Sequence, residues 1–190
     1  MAQRSAARCR SRGNGIVLWQ QGGAASRGPG ELWANRYTAD GGWGAPLRLA
    51  PADPAALVLG GELAFDESGR AFVAYVEQAG NQFGLWSRRW NDGWLEPEAV
   101  IDTSDDPIVA NMTMATRGGE ALLLFARQLD NESRVEQACY AAGAGWSAPA
   151  VIRDPFGVPL LDMEDSGNAL AVWGTPNANG SADLLASRYR

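Results

Sequence analysis

The side chains able to do chemistry in this chain are carboxylates, guanidinium groups and indoles, because none of its 190 residues is histidine. Without imidazole there is no Ser-His-Asp or Cys-His nucleophile and no histidine-ligated zinc. Two cysteines, Cys9 and Cys139, are too few for a disulfide framework and read as free small hydrophobes. Acids gather in the connecting segments: Asp53, Asp102, Asp105, Asp106, Asp130, Glu132, Asp154 and Asp183. Such loops can hold Ca²⁺ or hydrogen-bond a sugar, yet Asp beside Pro or Gly is also an ordinary turn former. No D-x-D-x-D-G run gives calcium spacing, so no metal and no cofactor is expected.

Arg36, Arg89 and Arg188 stand at one recurring position. A planar guanidinium suits bidentate capture of a carboxylate, and stacking on a neighbouring tryptophan is its alternative use. Trp43, Trp94 and Trp146 each follow a glycine at a second recurring position. Indole suits the apolar face of a pyranose and equally the packing of one sheet on the next. These six residues are the candidate ligand-binding set. No catalytic set can be assigned.

The elements that must position them come from a repeat. Gly13-Gly15-Trp19, Gly69-Ala71-Tyr75, Gly119-Ala121-Phe125 and Gly167-Ala169-Trp173 share one spacing, with aromatics 56, 50 and 48 residues apart. A period near 50 marks an array of one supersecondary unit. The second copy reads as strands over 62–65, 70–76, 85–90 and 94–101, the second of them apolar enough to be buried on both faces. Two further motifs recur: a strand of the form Trp33-Ala34-Asn35-Arg36-Tyr37, and a Gly-Trp strand leading to Pro46, Pro97 and Pro149. An Asp-Pro pair follows at Asp53-Pro54, Asp106-Pro107 and Asp154-Pro155.

A four-stranded meander has two apolar faces to bury, and packing such sheets around an axis leaves only short edges. The expected fold is therefore all-β, a β-propeller of four repeats in a single domain over 1–190. Repeats fall at about 5–53, 60–106, 110–154 and 158–190, the last without a Gly-Trp strand. Three closures follow: a small four-bladed ring, part of a larger propeller, or two copies joined through open blade edges. Variable loops between second and third strands, and between repeats, share one end of the ring and are the expected place for a site.

The G-x-A-x-x-x-W, W-A-x-R-Y and G-W-x-x-P pattern resembles bacterial propeller repeats of the sialidase-like (BNR, Asp-box) type over nearly the whole chain. Here the Asp-box is degenerate. An aspartate two residues before the glycine occurs only as Asp165, while Ser11, Glu67 and Arg117 fill the other copies. The resemblance implies an exported or cell-surface protein, although no signal peptide is visible. It also implies an arginine cluster for a carboxylate, for which Arg36, Arg89 and Arg188 are the candidates, and a tyrosine nucleophile with a glutamate partner and an acid, none of which can be assigned residue by residue. The Trp positions are loosely similar to those of fucose-binding lectin propellers.

The expected function is a non-catalytic binding or interaction module, lectin-like in its most concrete form, with carbohydrate or another protein as partner. The alternatives are a sialidase-like glycoside-processing enzyme and an inert fragment of a larger exported propeller. Charge narrows this further. Sixteen arginines against 22 acids give a net −6, with the only basic stretch at Arg4, Arg8, Arg10 and Arg12, which argues against nucleic acid. No run of 18 apolar residues would span a membrane as a helix.

Overall fold

The computed structural model describes residues 2–9, 13–22, 30–51, 53–129, 132–153, 160–164, 168–176 and 181–189. Among these the strands form four antiparallel sheets in chain order. The first holds β1 (Ala2–Cys9), β2 (Gly15–Gln21), β3 (Glu31–Thr38), β4 (Gly42–Trp43) and β5 (Leu47–Ala50). In the second are β6 (Leu57–Phe65), β7 (Ala71–Ala79), β8 (Gln82–Trp90) and β9 (Glu98–Ser104). The third contains β10 (Ile108–Arg117), β11 (Glu120–Leu129), β12 (Glu132–Ala141), β13 (Gly145–Trp146) and β14 (Ala150–Arg153). The fourth has β15 (Leu160–Met163), β16 (Ala169–Pro176) and β17 (Ala182–Tyr189). The opening strands β1, β6, β10 and β15 contact one another from sheet to sheet, which sets the sheets side by side like blades about an axis.

Three apolar layers lie between the four sheets. Ile16, Leu18, Leu32 and Ala34 of the first sheet pack against Val58, Leu63, Val73 and Tyr75 of the second. Phe72, Val76 and Leu85 on the other face of that sheet meet Met112, Leu123 and Phe125 of the third. Leu122, Leu124 and Val135 then meet Ala171 and Trp173 of the fourth. The repeat aromatics Tyr75, Phe125 and Trp173 are buried, each facing the preceding sheet. Period-two alternation explains this, because residues 71, 73 and 75 share one face of β7 while 72, 74 and 76 share the other.

Two strands differ from the sequence reading. The Gly-Trp strand is broken into two short pieces, β4 then β5 and β13 then β14, both pairing the same neighbour. Pro46 and Pro149 fall in the gaps, and proline has no N–H to give to a ladder. In the second sheet the first piece shrinks to a single Trp90–Trp94 bridge, with Pro97 ahead of β9. The other difference is β6, which starts at Leu57 rather than at 62. Its pairing slips between Val58 and Gly60, and a Cβ on Gly61 would stand 3.3 Å from both Leu18 and Leu32. Glycine there lets the first sheet close on β6.

At the tight-turn end, Asp66 builds the β6–β7 connection. Its Oδ1 accepts from the Ser68 amide (2.9 Å), the Ser68 hydroxyl (2.7 Å) and the Arg70 amide (3.0 Å), and Oδ2 accepts from Arg70 Nε (2.7 Å). Burial pushes this carboxyl up, but the bonds from Ser68 and Arg70 and the Arg70 charge outweigh it and hold it below its ordinary 3.8. A depressed carboxyl stabilises the fold above its unfolded value, and that contribution is lost as pH falls through the folded value. Asp66→Ala is expected to cost about 2 kcal/mol at neutral pH. In urea melts the gap to the parent should narrow below about pH 4. A pH-independent difference would count against this account.

Neighbouring sheets are tied at the same end. The Glu67 carboxylate accepts from the Gly118 amide (3.0 Å), and Arg117 Nη1 donates to the Glu164 carbonyl (2.8 Å).

Candidate functional site

The opposite end carries the loop-rich surface, where β2, β7 and β11 finish and β6 and β10 begin. Its polar groups form local networks. Gln20, buried, donates to the Val58 carbonyl (2.9 Å) across the first two sheets. Glu31 accepts from Trp33 Nε1 and from Arg48, each at 3.0 Å. Gln82 donates to Asp105, bringing the β7–β8 turn onto the segment that leads into the third sheet.

The densest network is centred on Arg127 at the end of β11. Its Nη1 donates to both oxygens of Glu136 on β12 (3.3 and 3.4 Å), and its Nη2 donates to Ser104 Oγ (3.2 Å). Asp106 Oδ2 lies 3.6 Å from the same Nη2. Ser104 Oγ accepts from the Asp106 amide and donates to the Asp106 carbonyl, both at 3.1 Å, which fixes the turn. The two carboxylates differ in setting: the Glu136 side chain is 5% exposed and that of Asp106 38%. Arg127 Nε is buried and has no partner among the described residues. One guanidinium thus holds a buried acid on the third sheet and a solvent-facing acid in the segment that joins the second sheet to the third. Glu136 is the buried member, so its pairing with Arg127 is the costlier one to break, while the solvent-facing Asp106 contact is screened and weaker.

The acids singled out from sequence are distributed as follows. Asp105 and Asp106 are in these networks, whereas Asp53 caps a turn by accepting from the Ala55 amide (2.8 Å). Asp102 on β9 and Asp183 on β17 are exposed. Asp130, Asp154, Asp165 and the Glu132 side chain lie outside the described residues. Sequence reasoning missed Arg127 and Glu136. A signal existed: Glu136 pairs with Phe125 in the position that Trp33 and Trp86 hold against Trp19 and Tyr75, so an acid replaces an indole.

The candidate tryptophans and arginines sit on the outer strands, towards the other end. Trp94 packs edge-on against Trp90 (centroids 5.5 Å), Trp146 against Tyr140 (5.5 Å), and Trp43 against Tyr37 (5.3 Å). Arg36 lies over Trp90 (5.1 Å) and Arg89 over Tyr140 (4.5 Å), in each case an arginine of one sheet on an aromatic of the next. Arg89 also pairs with Glu98, and Arg188 with Glu164 at 3.9 Å. Arg36, Trp43 and Trp94 share one cleft of about 460 Å³ with Trp90, while Arg89, Trp146 and Arg188 lie elsewhere.

Cys139 occupies the arginine position of the third sheet. It is free, as expected, but exposed on β12 rather than packed as a small hydrophobe, and the Cys9 side chain lies outside the described residues. Burial raises the Tyr189 phenol, the Ser187 side chain opposes this, and Cys139 adds a smaller electrostatic push upward. Cys139→Arg should therefore place a cation over Tyr189 as Arg89 lies over Tyr140. We expect about 0.5–1 kcal/mol of stabilisation in thermal melts, and an unchanged or lower midpoint would contradict this reading.

No family model matches the chain, and no curated protein does either. Solved structures match it at low identity. One is an α-L-arabinofuranosidase of Fusarium graminearum, 12% identical with a TM-score of 0.65, covering 98% of this chain and 61% of its own. Another is an endo-arabinase of Bacteroides thetaiotaomicron, 13% identical with a TM-score of 0.55, covering 97% and 73% respectively. A third is an exo-β-1,3-galactanase of Phanerochaete chrysosporium, 11% identical with a TM-score of 0.56, covering 100% and 46%. The chain therefore spans between about half and three quarters of these proteins' lengths.

These likenesses establish an all-β fold of the propeller-glycosidase type. They also correct the expected function. The non-catalytic, lectin-like reading is overturned, because the structures that share this fold are glycoside-cleaving enzymes. The tryptophans that suggested it pack edge-on against aromatics of their own sheets.

Proposed function

We propose that this chain is a glycoside-processing enzyme, or the propeller part of one, each sheet forming a blade, with its site around Arg127, where the segment leaving the second sheet meets the third. A fold hosts many chemistries, so the argument rests on the site. Glycosidic cleavage needs two carboxyl groups, one giving a proton to the leaving oxygen, the other attacking the sugar or activating water. Asp106 and Glu136 are two acids that the described residues bring onto one guanidinium at the loop-rich end. That pairing is the observation that carries the reading. Asp106 is the solvent-facing acid that meets substrate. Glu136 is the second carboxyl and sets the orientation of Arg127.

The substrate class follows the named structures towards arabinose- and galactose-containing glycans rather than sialosides. The arginine triad that a sialoside's carboxylate would need is also dispersed, since Arg36 and Arg89 are stacked on aromatics of different sheets. A panel of aryl α-L-arabinofuranosides, β-D-galactosides and α-sialosides tests this. Release of the aryl group from one of the first two classes is expected, and release from the sialoside alone would overturn the assignment.

A further inference from the structure

The internal interfaces of this protein repeat one device, and its two outward faces carry the halves of a further copy of it. Strand register makes the positions comparable. Ile16 pairs with Arg36, Phe72 with Arg89, Leu122 with Cys139, and Leu170 with Arg188. Ile16, Phe72 and Leu122 are at most 4% exposed, whereas Leu170 is 51% exposed. Leu32, Leu85 and Val135 hold a second equivalent position and are at most 1% exposed, but Leu184 is 78% exposed. Leu160 on the same sheet is 71% exposed. The outer face of the fourth sheet thus has the residues of a packed layer, and among the described residues no sheet packs on it. Soluble proteins seldom leave such a patch open.

The first sheet presents the complement. In the second and third sheets an edge-on aromatic pair, Trp90–Trp94 and Tyr140–Trp146, receives an arginine from the preceding sheet. Tyr37–Trp43 is the same pair on the outward side of the first sheet, exposed, and among the described residues no guanidinium lies over it. Trp19, stacked on Trp33 beside it, is half-buried where Tyr75, Phe125 and Trp173 are buried. Arg188 meets only Glu164 of its own sheet among the described residues.

We propose that a second copy of this chain seats its first sheet on the fourth sheet, placing Arg188 over the partner's Tyr37. The contact continues the arrangement that already joins the first sheet to the second and the second to the third. Leu170 and Leu184 enter the layer in which Ile16 and Leu32 lie at the first internal interface. Two reciprocal contacts close a ring about a two-fold axis, which hides both faces. A head-to-tail contact that failed to close would instead grow into filaments.

Light scattering on the size-fractionated 190-residue chain tests this independently of any enzymatic reading. The expected mass is twice that of the chain at micromolar concentration. Leu184→Lys and Tyr37→Asp change exposed side chains, so circular dichroism melts should stay cooperative while each weakens dimerisation about tenfold or more. Mixing the two variants should restore association, because one of the two contacts is then intact. A monomer at every concentration overturns the proposal, as it would if the face were reserved for another sheet of a longer polypeptide. A dimer sensitive to Leu184→Lys but not to Tyr37→Asp overturns it too, by showing that the fourth sheet pairs with itself.

Discussion

Glu136→Gln is expected to lower turnover of an aryl α-L-arabinofuranoside by about 100-fold or more, with little change in KM. The substitution keeps the shape of the side chain and one acceptor for Arg127, so the packing between β11 and β12 survives. What it removes is a carboxylate held by both oxygens on Nη1 at 3.3 and 3.4 Å. Asp106→Asn should cost at least as much, because that acid faces solvent and substrate. Glu136→Ala is less informative, since it removes the bonds that hold Arg127 Nη1 and leaves that half-buried guanidinium with Ser104 and Asp106 only, which mixes lost stability with lost chemistry. The discriminating readout is the split between kcat and KM in a protein that still melts cooperatively. A rise in KM alone would make Glu136 a structural partner of Arg127 and nothing more.

The largest expected stability change is Phe125→Ala. Phe125 is fully buried between the second and third sheets, in one cluster with Phe72, Val76, Leu85 and Met112. Deleting a buried benzyl group removes its transfer free energy and leaves a cavity, together about 3–5 kcal/mol. Native domains are stable by only about 5–15 kcal/mol, so a large share of the total is at risk. In a chain of this size the thermal midpoint should fall by roughly 10 °C. Phe125→Leu, which keeps most of the volume, should cost far less. A loss under about 1 kcal/mol for the alanine variant would mean that the sheets can close over the gap and that this layer is not the rigid joint described above.

Much of the fold was legible because its signals are local. A glycine, a small residue two places on and an aromatic six places on specify a turn and then one face of a strand, and alternation carries that aromatic into the preceding sheet. The turn chemistry was harder. The Asp-box comparison looked for an aspartate two residues before the glycine and found Asp165, whereas Asp66, three residues before Gly69, accepts the bonds that close the β6–β7 turn. Proline in the outer strands was visible, but its breaking of the Gly-Trp strand into two pieces depends on which carbonyls of β3 and β12 are free to pair.

The site was the least legible part, for a geometric reason. Arg127 and Glu136 meet through the β11–β12 register, and Asp106 joins them only because the second sheet ends against the third. No linear spacing encodes that triangle. An acid in place of an indole at Glu136 is the one local trace. The tryptophans drew attention because they repeat, but repetition reflects the shared packing of each sheet, and a site on such a scaffold depends on what differs from blade to blade. Arg127 and Glu136 are such differences, whereas Asp106 belongs to the repeated Asp-Pro pair and gains its setting only from them.

The central claim, that this propeller-type chain cleaves glycosides through carboxylates gathered at Arg127, is tested most directly by one time course. Purified chain and its Asp106→Asn variant are incubated side by side with aryl α-L-arabinofuranoside and, separately, aryl β-D-galactoside, and release of the aryl group from either is followed. Steady release by the parent, reduced about 100-fold or more in the variant, is the predicted result. Release at equal rates from both proteins, or none from a cooperatively folded parent, would contradict it.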